Sequence, residues 1–207
     1  MPANSRGRAD MLLFFFDTET TGLPEFRLPS DAPEQPHLVQ IAGMLTDEVG
    51  NMVDEWSTLV APGVGAVMHP KAFEAHGISL ERAWDEGVTL ADAWDRFVSM
   101  VEAANGVIGH NVPFDIRIMR IAGSRATGIK WDCPLPHRCT MKMATPIMNL
   151  PPTERMRAAG FLKPKAPNLT ECMRFFFDED HSQAHDALAD VRASKRVYFA
   201  IKERLVR

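Results

Sequence analysis

An uninterrupted apolar segment, residues 11–16, leads directly into two carboxylates, Asp17 and Glu19. The segment has the length of a strand and no helical periodicity, which is typical of a strand that is buried on both faces. Such a strand needs a layer of helices on each side of its sheet, and helical patterns follow it along the chain. The sequence therefore predicts an α/β fold in which a mixed β-sheet is flanked by α-helices.

Strand-like and helix-like patterns alternate along the rest of the chain. Thr89 and Pro113 are typical of helix N-termini, and residues 48–51 are typical of a hairpin turn. The predicted elements are strands over 37–47, 52–61 and 107–109, a helix over 140–148, a final helix from about residue 186, and proline-rich surface loops over 24–36 and 151–167.

The chain has 207 residues, of which 45% are hydrophobic and 24% are charged. This composition is that of a globular protein, and it excludes disordered, collagen-like and coiled-coil chains. The length favours one domain. We expect the polar residues 1–10 to be a flexible N-terminus and residues 11–207 to form a single domain.

Two features of the sequence bear on where the protein resides. The longest apolar run has six residues, whereas a membrane-spanning helix needs about 20 and the core of a signal peptide at least about 7. The three cysteines include no closely spaced pair, so they do not indicate a disulfide framework. The sequence therefore predicts a soluble, cytoplasmic protein with no membrane partner.

The formal net charge of −4 conceals an uneven distribution. Residues 1–109 carry 6 Lys and Arg against 17 Asp and Glu, whereas residues 110–207 carry 17 against 10. Asymmetry of this kind points towards a polyanionic partner. The basic residues of the loop over 151–167 are the candidates for phosphate contact: Arg155, Arg157, Lys163 and Lys165.

Asp17 and Glu19 are the first candidates for a functional site. Residues two apart on a strand point to the same face, so both carboxylates project together. Burial of such a like-charge pair is costly unless a cation lies between them. A D-x-E triplet alone occurs by chance about once in a chain of this length, so the pair gains weight only from the buried strand before it.

Two further acidic segments begin predicted helices. Asp115 lies in the first turn after Pro113, where the helix dipole favours an anion. Asp186 can cap the final helix, which places Asp190 in the first turn and leaves His185 just outside it. Helix capping would explain each segment equally well when it is taken alone.

Taken together, four carboxylates and a histidine have the composition of a two-metal hydrolase. Oxygen ligands favour Mg²⁺ or Mn²⁺ over zinc. A pair of such ions can activate a water and stabilise the leaving oxygen of a phosphodiester, and a histidine can accept the proton of that water. His181 lies four residues before His185, but the zinc motif H-E-x-x-H is excluded because its glutamate is missing.

Three motifs resemble those of DnaQ-like 3′→5′ exonucleases of the DEDDh type, the family of the epsilon proofreading subunit of bacterial DNA polymerase III. They are DTETTG at 17–22, HNVPFD at 110–115 and HDALAD at 185–190, in the order found in that family. The resemblance implies a ribonuclease-H-like fold, with His185 as general base and four metal ligands: Asp17, Glu19, Asp115 and Asp190. It also implies a substrate cleft that is lined by Thr20, Thr21, Leu23, Asn111 and Phe114. In that cleft, Leu23 would wedge against the terminal base.

The predicted function is hydrolysis of phosphodiester bonds at single-stranded DNA 3′ ends, with two divalent cations and release of nucleoside 5′-monophosphates. An RNA-trimming exoribonuclease of the ribonuclease T or oligoribonuclease type is the alternative, because the same metal site serves both substrates and the 2′-OH separates them. A DNA polymerase is a candidate partner, and action without a partner is equally compatible with the sequence. A non-catalytic nucleic-acid-binding module is disfavoured, since it would be expected to lack at least one of the carboxylates.

Overall fold

The computed structural model describes residues 11–206, so the predicted flexible segment 1–10 lies outside the described part of the chain. Over 11–206, no helix combines the length and the hydrophobicity that are needed to cross a membrane. The strands are β1 Leu13–Thr20, β2 Leu38–Thr46, β3 Met52–Leu59, β4 Gly106–Gly109 and β5 His137–Cys139, and the helices are α1 Pro70–His76, α2 Leu80–Glu86, α3 Leu90–Ala103, α4 Val112–Thr127, α5 Thr140–Met148, α6 Glu154–Ala158, α7 Leu169–Phe177 and α8 Ala187–Val206.

The strands form one mixed sheet in the order β3-β2-β1-β4-β5. Strand β1 is central, and it pairs antiparallel with β2 and parallel with β4. Strand β2 pairs antiparallel with β3, and β4 pairs parallel with β5. The predicted mixed sheet and the predicted hairpin are therefore confirmed.

Strand β1 is buried on both faces, as its apolar sequence predicts. On one face, Phe14 and Phe16 stack at a centroid distance of 5.4 Å and both contact Phe97 of α3. On the other face, Phe15 packs edge-on against Tyr198 of α8 at 5.6 Å. Aromatic pairs in these arrangements add to the free energy gained from burial alone. Helices α3 and α8 therefore form the two layers that cover the central strand.

The central strand is longer than its apolar run. It continues to Thr20 because β2 pairs with it as far as the Thr20–Leu38 pair, with an irregular register after Glu19. Irregularities of this kind frequently occur beside active sites, where they redirect the chain. Asp17 and Glu19 therefore lie within a paired strand, which fixes the direction of their side chains.

The loop predicted over 151–167 contains a short helix, α6. Thr153 caps this helix by accepting a hydrogen bond from the backbone N–H of Met156. With five residues, α6 is too short to display a helical hydrophobic period, which explains why the sequence pattern does not predict it.

The proline-rich loop over 24–36 is ordered without regular secondary structure. The buried side-chain amide of Gln35 donates to three carbonyl groups of the loop and accepts from the backbone N–H of Glu25. Arg117 and Arg125 of α4 also donate to carbonyl groups of this loop, and Arg117 shares the carbonyl of Leu28 with Gln35. These side chains satisfy the backbone groups that a strand or helix would otherwise pair, and they fix the loop against α4.

Candidate active site

Three segments bring four carboxylates to one edge of the sheet. Asp17 and Glu19 project from β1. Asp115 lies in the first turn of α4, which begins after β4, the parallel neighbour of β1. Asp190 lies in the first turn of α8, which packs on β1 and β2. The sheet and the packing of α8 on it therefore bring together acids that lie up to 173 positions apart in sequence.

The carboxylates line a cavity of about 670 Å³. Its remaining wall is formed by the turn after β1, by α1, by the start of α4 and by the N-terminus of α7. A concave site of this size with converging polar groups is the usual form of a ligand-binding or catalytic site.

Asp115 is the most deeply buried of the four acids, with 2% of its surface exposed. Its Oδ1 accepts hydrogen bonds from the backbone N–H of Thr18 at 3.1 Å and from the Thr18 hydroxyl at 2.8 Å. Burial raises the pKa of Asp115 to about 7, and the two bonds from Thr18 oppose that rise. Thr18 therefore links α4 to β1 at the site itself.

The other three carboxylates repel one another at close range. Burial, followed by the charges of Asp190 and Asp115, raises the pKa of Glu19 to about 9. The pKa of Asp17 is raised for the same reasons, and burial also raises that of Asp190. A group of acids in this state lacks the positive charge that would stabilise its ionised form.

His185 completes the group of predicted catalytic residues. A nitrogen of its imidazole and carboxylate oxygens of Glu19 and Asp190 all lie within 4.8 Å of one another. The residue is exposed, and its φ of 68° places its backbone in the left-handed region immediately before α8. This backbone conformation turns the chain into the helix and leaves the imidazole at the mouth of the cavity.

The N-terminus of α8 is held by a residue that the motifs do not include, Gln40 of β2. Its side-chain amide donates to Asp186 Oδ2 at 3.2 Å, and its carbonyl accepts from the backbone N–H of Ala187 at 3.1 Å. Asp186 caps the helix, as predicted, by accepting from the N–H of Ala189 at 3.0 Å. Gln40 could have been found as a polar residue within an otherwise apolar strand, since buried amides require partners.

His181 is a second residue of the site to which the sequence assigned no role there; only a zinc motif with His185 was excluded. Its Nε2 contacts Asp190 Oδ1, and its side chain is largely buried. The contact restricts the orientation of the Asp190 carboxylate. The spacing between His181 and Asp190 carries no helical or strand period, so only the turn over 182–185 brings them together.

The predicted substrate residues divide into two groups. Thr20, Leu23 and Phe114 line the cavity, and Leu23 is 79% exposed there. Thr21 and Asn111 are not part of the cavity wall. The hydroxyl of Thr21 is buried and accepts from the N–H of His37, and Asn111 has a φ of 67° at the start of α4. Both act in shaping the backbone beside the cleft, and their contact with substrate remains a prediction.

His110 lines the same cavity and also fixes its wall. Its Nε2 lies 3.0 Å from the carbonyl of Pro167 and its Nδ1 lies 3.0 Å from the Thr140 hydroxyl. Because a carbonyl only accepts, Nε2 carries a proton. Burial lowers the pKa of His110 to about 4.

The depressed pKa of His110 predicts a loss of stability in acid. Below its ordinary pKa of 6.5 the unfolded chain binds a proton that the folded chain does not bind until about pH 4. We expect this residue to lower the free energy of unfolding by about 2 kcal/mol between pH 7.5 and pH 5. Urea unfolding of wild type and of His110→Gln should show a smaller pH dependence in the variant. Equal pH dependence in the two proteins would contradict the assignment.

The sequence of the chain matches the model of the exonuclease family RNase_T over residues 14–198. A search of curated proteins found no match.

Solved structures of exonuclease I share the fold. Escherichia coli exonuclease I in complex with a dT13 oligonucleotide superposes with a TM-score of 0.73 at 21% identity, over 95% of this chain and 42% of that chain. Exonuclease I from Methylocaldum szegediense superposes with a TM-score of 0.72 at 23% identity, over 95% of this chain and 41% of that chain. This chain therefore spans about two fifths of the length of these proteins, and the predicted ribonuclease-H-like fold is confirmed.

Proposed function

We propose that this chain, which belongs to the exonuclease family, is a divalent-metal-dependent 3′→5′ exonuclease that acts on single-stranded DNA. The observation that carries the proposal is the convergence of four carboxylates and His185 on one cavity. The fold similarity to exonuclease I bound to dT13 and dA16 oligonucleotides supports a single-stranded DNA substrate.

The donor set of the cavity fits divalent cations. Its ligands are carboxylate oxygens, which suit Mg²⁺ or Mn²⁺, and their burial and mutual repulsion call for positive charge. Asp17, Glu19, Asp115 and Asp190 would hold the ions, and we propose two of them. Bound divalent cations supply Lewis acidity towards the phosphodiester and its attacking water.

His185 would act as the general base. It is exposed at the cavity, so water can reach its imidazole, which can accept the proton of an attacking water. The water oxygen bonds to phosphorus while the bond from phosphorus to the 3′ oxygen of the preceding nucleotide breaks. The water proton passes to His185, and the leaving 3′ oxygen takes a proton from solvent. The products are a nucleoside 5′-monophosphate and a strand shorter by one nucleotide.

The rim of the cavity would hold the last nucleotides of the strand. Leu23 is exposed at the rim, where its side chain can pack against the terminal base, and Phe114 adds an aromatic face to the same wall. Lys71 of α1 places a cation at the rim, where it can contact a phosphate. These groups contact sugar, phosphate and base faces, so they would hold the strand without reading its sequence.

Digestion of matched DNA and RNA oligonucleotides tests this proposal. With Mg²⁺, we expect a 5′-labelled DNA strand to shorten stepwise from its 3′ end with release of mononucleotides, faster than RNA of the same sequence. Chelation of the metal should abolish the reaction, and renewed Mg²⁺ should restore it. Faster loss of the RNA would replace the proposal with the RNA-trimming alternative. Absence of shortening for both substrates would exclude an exonuclease.

Proofreading beside a DNA polymerase is a narrower proposal, which rests on the resemblance of the three motifs to the epsilon subunit. Native mass spectrometry of the chain mixed with a replicative polymerase would detect such a complex. A free-standing repair enzyme would give the mass of the chain without the polymerase.

A further inference from the structure

The segment between α5 and α7, residues 150–168, combines exposed apolar side chains with cations and adjoins the cavity. We define it as the basic loop. Two adjacent large apolar residues at its tip, Phe161 and Leu162, are 64% and 76% exposed. Its exposed cations are Arg155, Arg157 and Lys163.

The cations of the basic loop are largely free of acidic partners. Among residues 11–206, neither Arg155 nor Lys163 forms an ion pair, and Arg157 donates to the carbonyl of Pro152. By contrast, Arg192 and Arg196 on α8 are both paired with glutamates. The positive charge of this loop is therefore available to an external anion.

The base of the basic loop is fixed to the cavity wall. The N–H of Lys165 donates to the carbonyl of Leu150 at 3.0 Å, which closes the loop. His110 donates to the carbonyl of Pro167, and the two residues that follow, Asn168 and Leu169, line the cavity. Phe161 precedes Asn168 by seven residues, which limits the distance between them to about 24 Å. The tip therefore lies within reach of a strand whose 3′ end occupies the cavity.

We propose that the basic loop binds single-stranded DNA several nucleotides upstream of the 3′ end, with Phe161 stacking on a base and Arg155 and Lys163 contacting phosphates. The inference rests on the proposed function, because the occupant of the cavity sets the direction of the strand. An aromatic side chain between cations is the composition that holds unpaired strands without reading sequence.

Binding of dT15 and dT3, measured by fluorescence anisotropy in an Asp115→Asn background that does not degrade them, tests the stacking role. We expect Phe161→Ala to weaken binding of dT15 about tenfold, because one stacked base is lost. The affinity for dT3 should not change. Phe175→Ala is the matched control, because Phe175 is 42% exposed at the end of α7, outside the cavity wall. Equal affinity of Phe161→Ala and its parent for dT15 would overturn the stacking role.

The salt dependence of dT15 binding tests the phosphate contacts. Each phosphate contact on a single strand contributes about 0.7 to the slope of log K against log salt concentration. The double variant Arg155→Gln, Lys163→Gln should therefore lower that slope by about 1.4. The control is the double variant Lys130→Gln, Lys195→Gln. It removes two cations that also lack ion pairs among residues 11–206 and that lie outside the cavity wall. This control should leave the slope unchanged. Equal slopes for the two double variants would overturn the inference.

Hydrolysis by proteins with an intact Asp115 separates this inference from the proposed function. If the exonuclease proposal fails, wild type shortens neither dT15 nor dT3. If only the basic-loop inference fails, wild type and Phe161→Ala shorten dT15 at the same rate at subsaturating substrate. Slower shortening of dT15 alone by Phe161→Ala supports both.

Discussion

Replacing Asp115 with asparagine is expected to lower the rate of 3′-end hydrolysis about a thousandfold while the fold is kept. The asparagine carbonyl can still accept both hydrogen bonds from Thr18, so the link between α4 and β1 survives. What is lost is one negative charge at the proposed metal site, and several kcal/mol of transition-state stabilisation with it. Single-turnover hydrolysis of a DNA oligonucleotide in Mg²⁺ measures the effect.

The thermal unfolding midpoint of Asp115→Asn provides a second measurement. Without metal, we expect the midpoint to rise, because the substitution removes a buried charge that repels Asp17 and Asp190. Asp95→Asn is the matched control, since Asp95 is exposed on α3 and lies outside the cavity. Wild-type activity of Asp115→Asn, or a large fall in its unfolding midpoint, would show that Asp115 is structural.

Replacing His185 with asparagine is expected to lower kcat by about 10²- to 10⁴-fold, the range for loss of a general base. Asparagine is suited to the left-handed φ of 68° at this position, so the start of α8 should be preserved. Rates measured under saturating Mg²⁺ and substrate would show this fall. An unchanged kcat would contradict the role of His185 as the base.

Metal affinity distinguishes a base from a ligand at position 185. His185 lies close to Glu19 and Asp190, so its imidazole could also bind a cation. If His185 is a base and not a ligand, His185→Asn should leave the Mn²⁺ affinity measured by calorimetry unchanged. The variant His137→Ala is the control, because His137 is exposed on β5 and outside the cavity wall. A large loss of Mn²⁺ affinity in His185→Asn would make His185 a ligand.

The elements that sequence patterns predict well are those governed by local interactions. Helix α5 has the predicted bounds, and Thr89 caps α3 through the N–H of Asp92, as its position before the apolar period indicates. The end of β1 is different. Its last residues, 17–20, are polar and lie beyond the apolar run, and pairing with β2 extends the strand to Thr20.

The candidate site likewise contains residues that local patterns predict and residues that only the fold brings into place. The same-face placement of Asp17 and Glu19 follows from strand geometry, and Asp115 and Asp190 occupy first turns of helices as the motifs predict. Gln40 and His181 belong to no motif, and Thr18 lies within the first motif but has no role predicted from it. Each acts through a partner that is distant in sequence or lies across an irregular turn, so no local period reveals it.

The sequence by itself determined the sheet-and-helix class, the family motifs and the identity of the acids, because these depend on residue type and spacing within short segments. The tertiary structure alone decided how those acids are held: α4 is tied to β1 through Thr18, and α8 to β2 through Gln40. It also decided that the basic loop adjoins the cavity, through His110 and Pro167. These contacts join residues up to 147 positions apart, and their geometry is fixed only when the packed sheet brings the segments together.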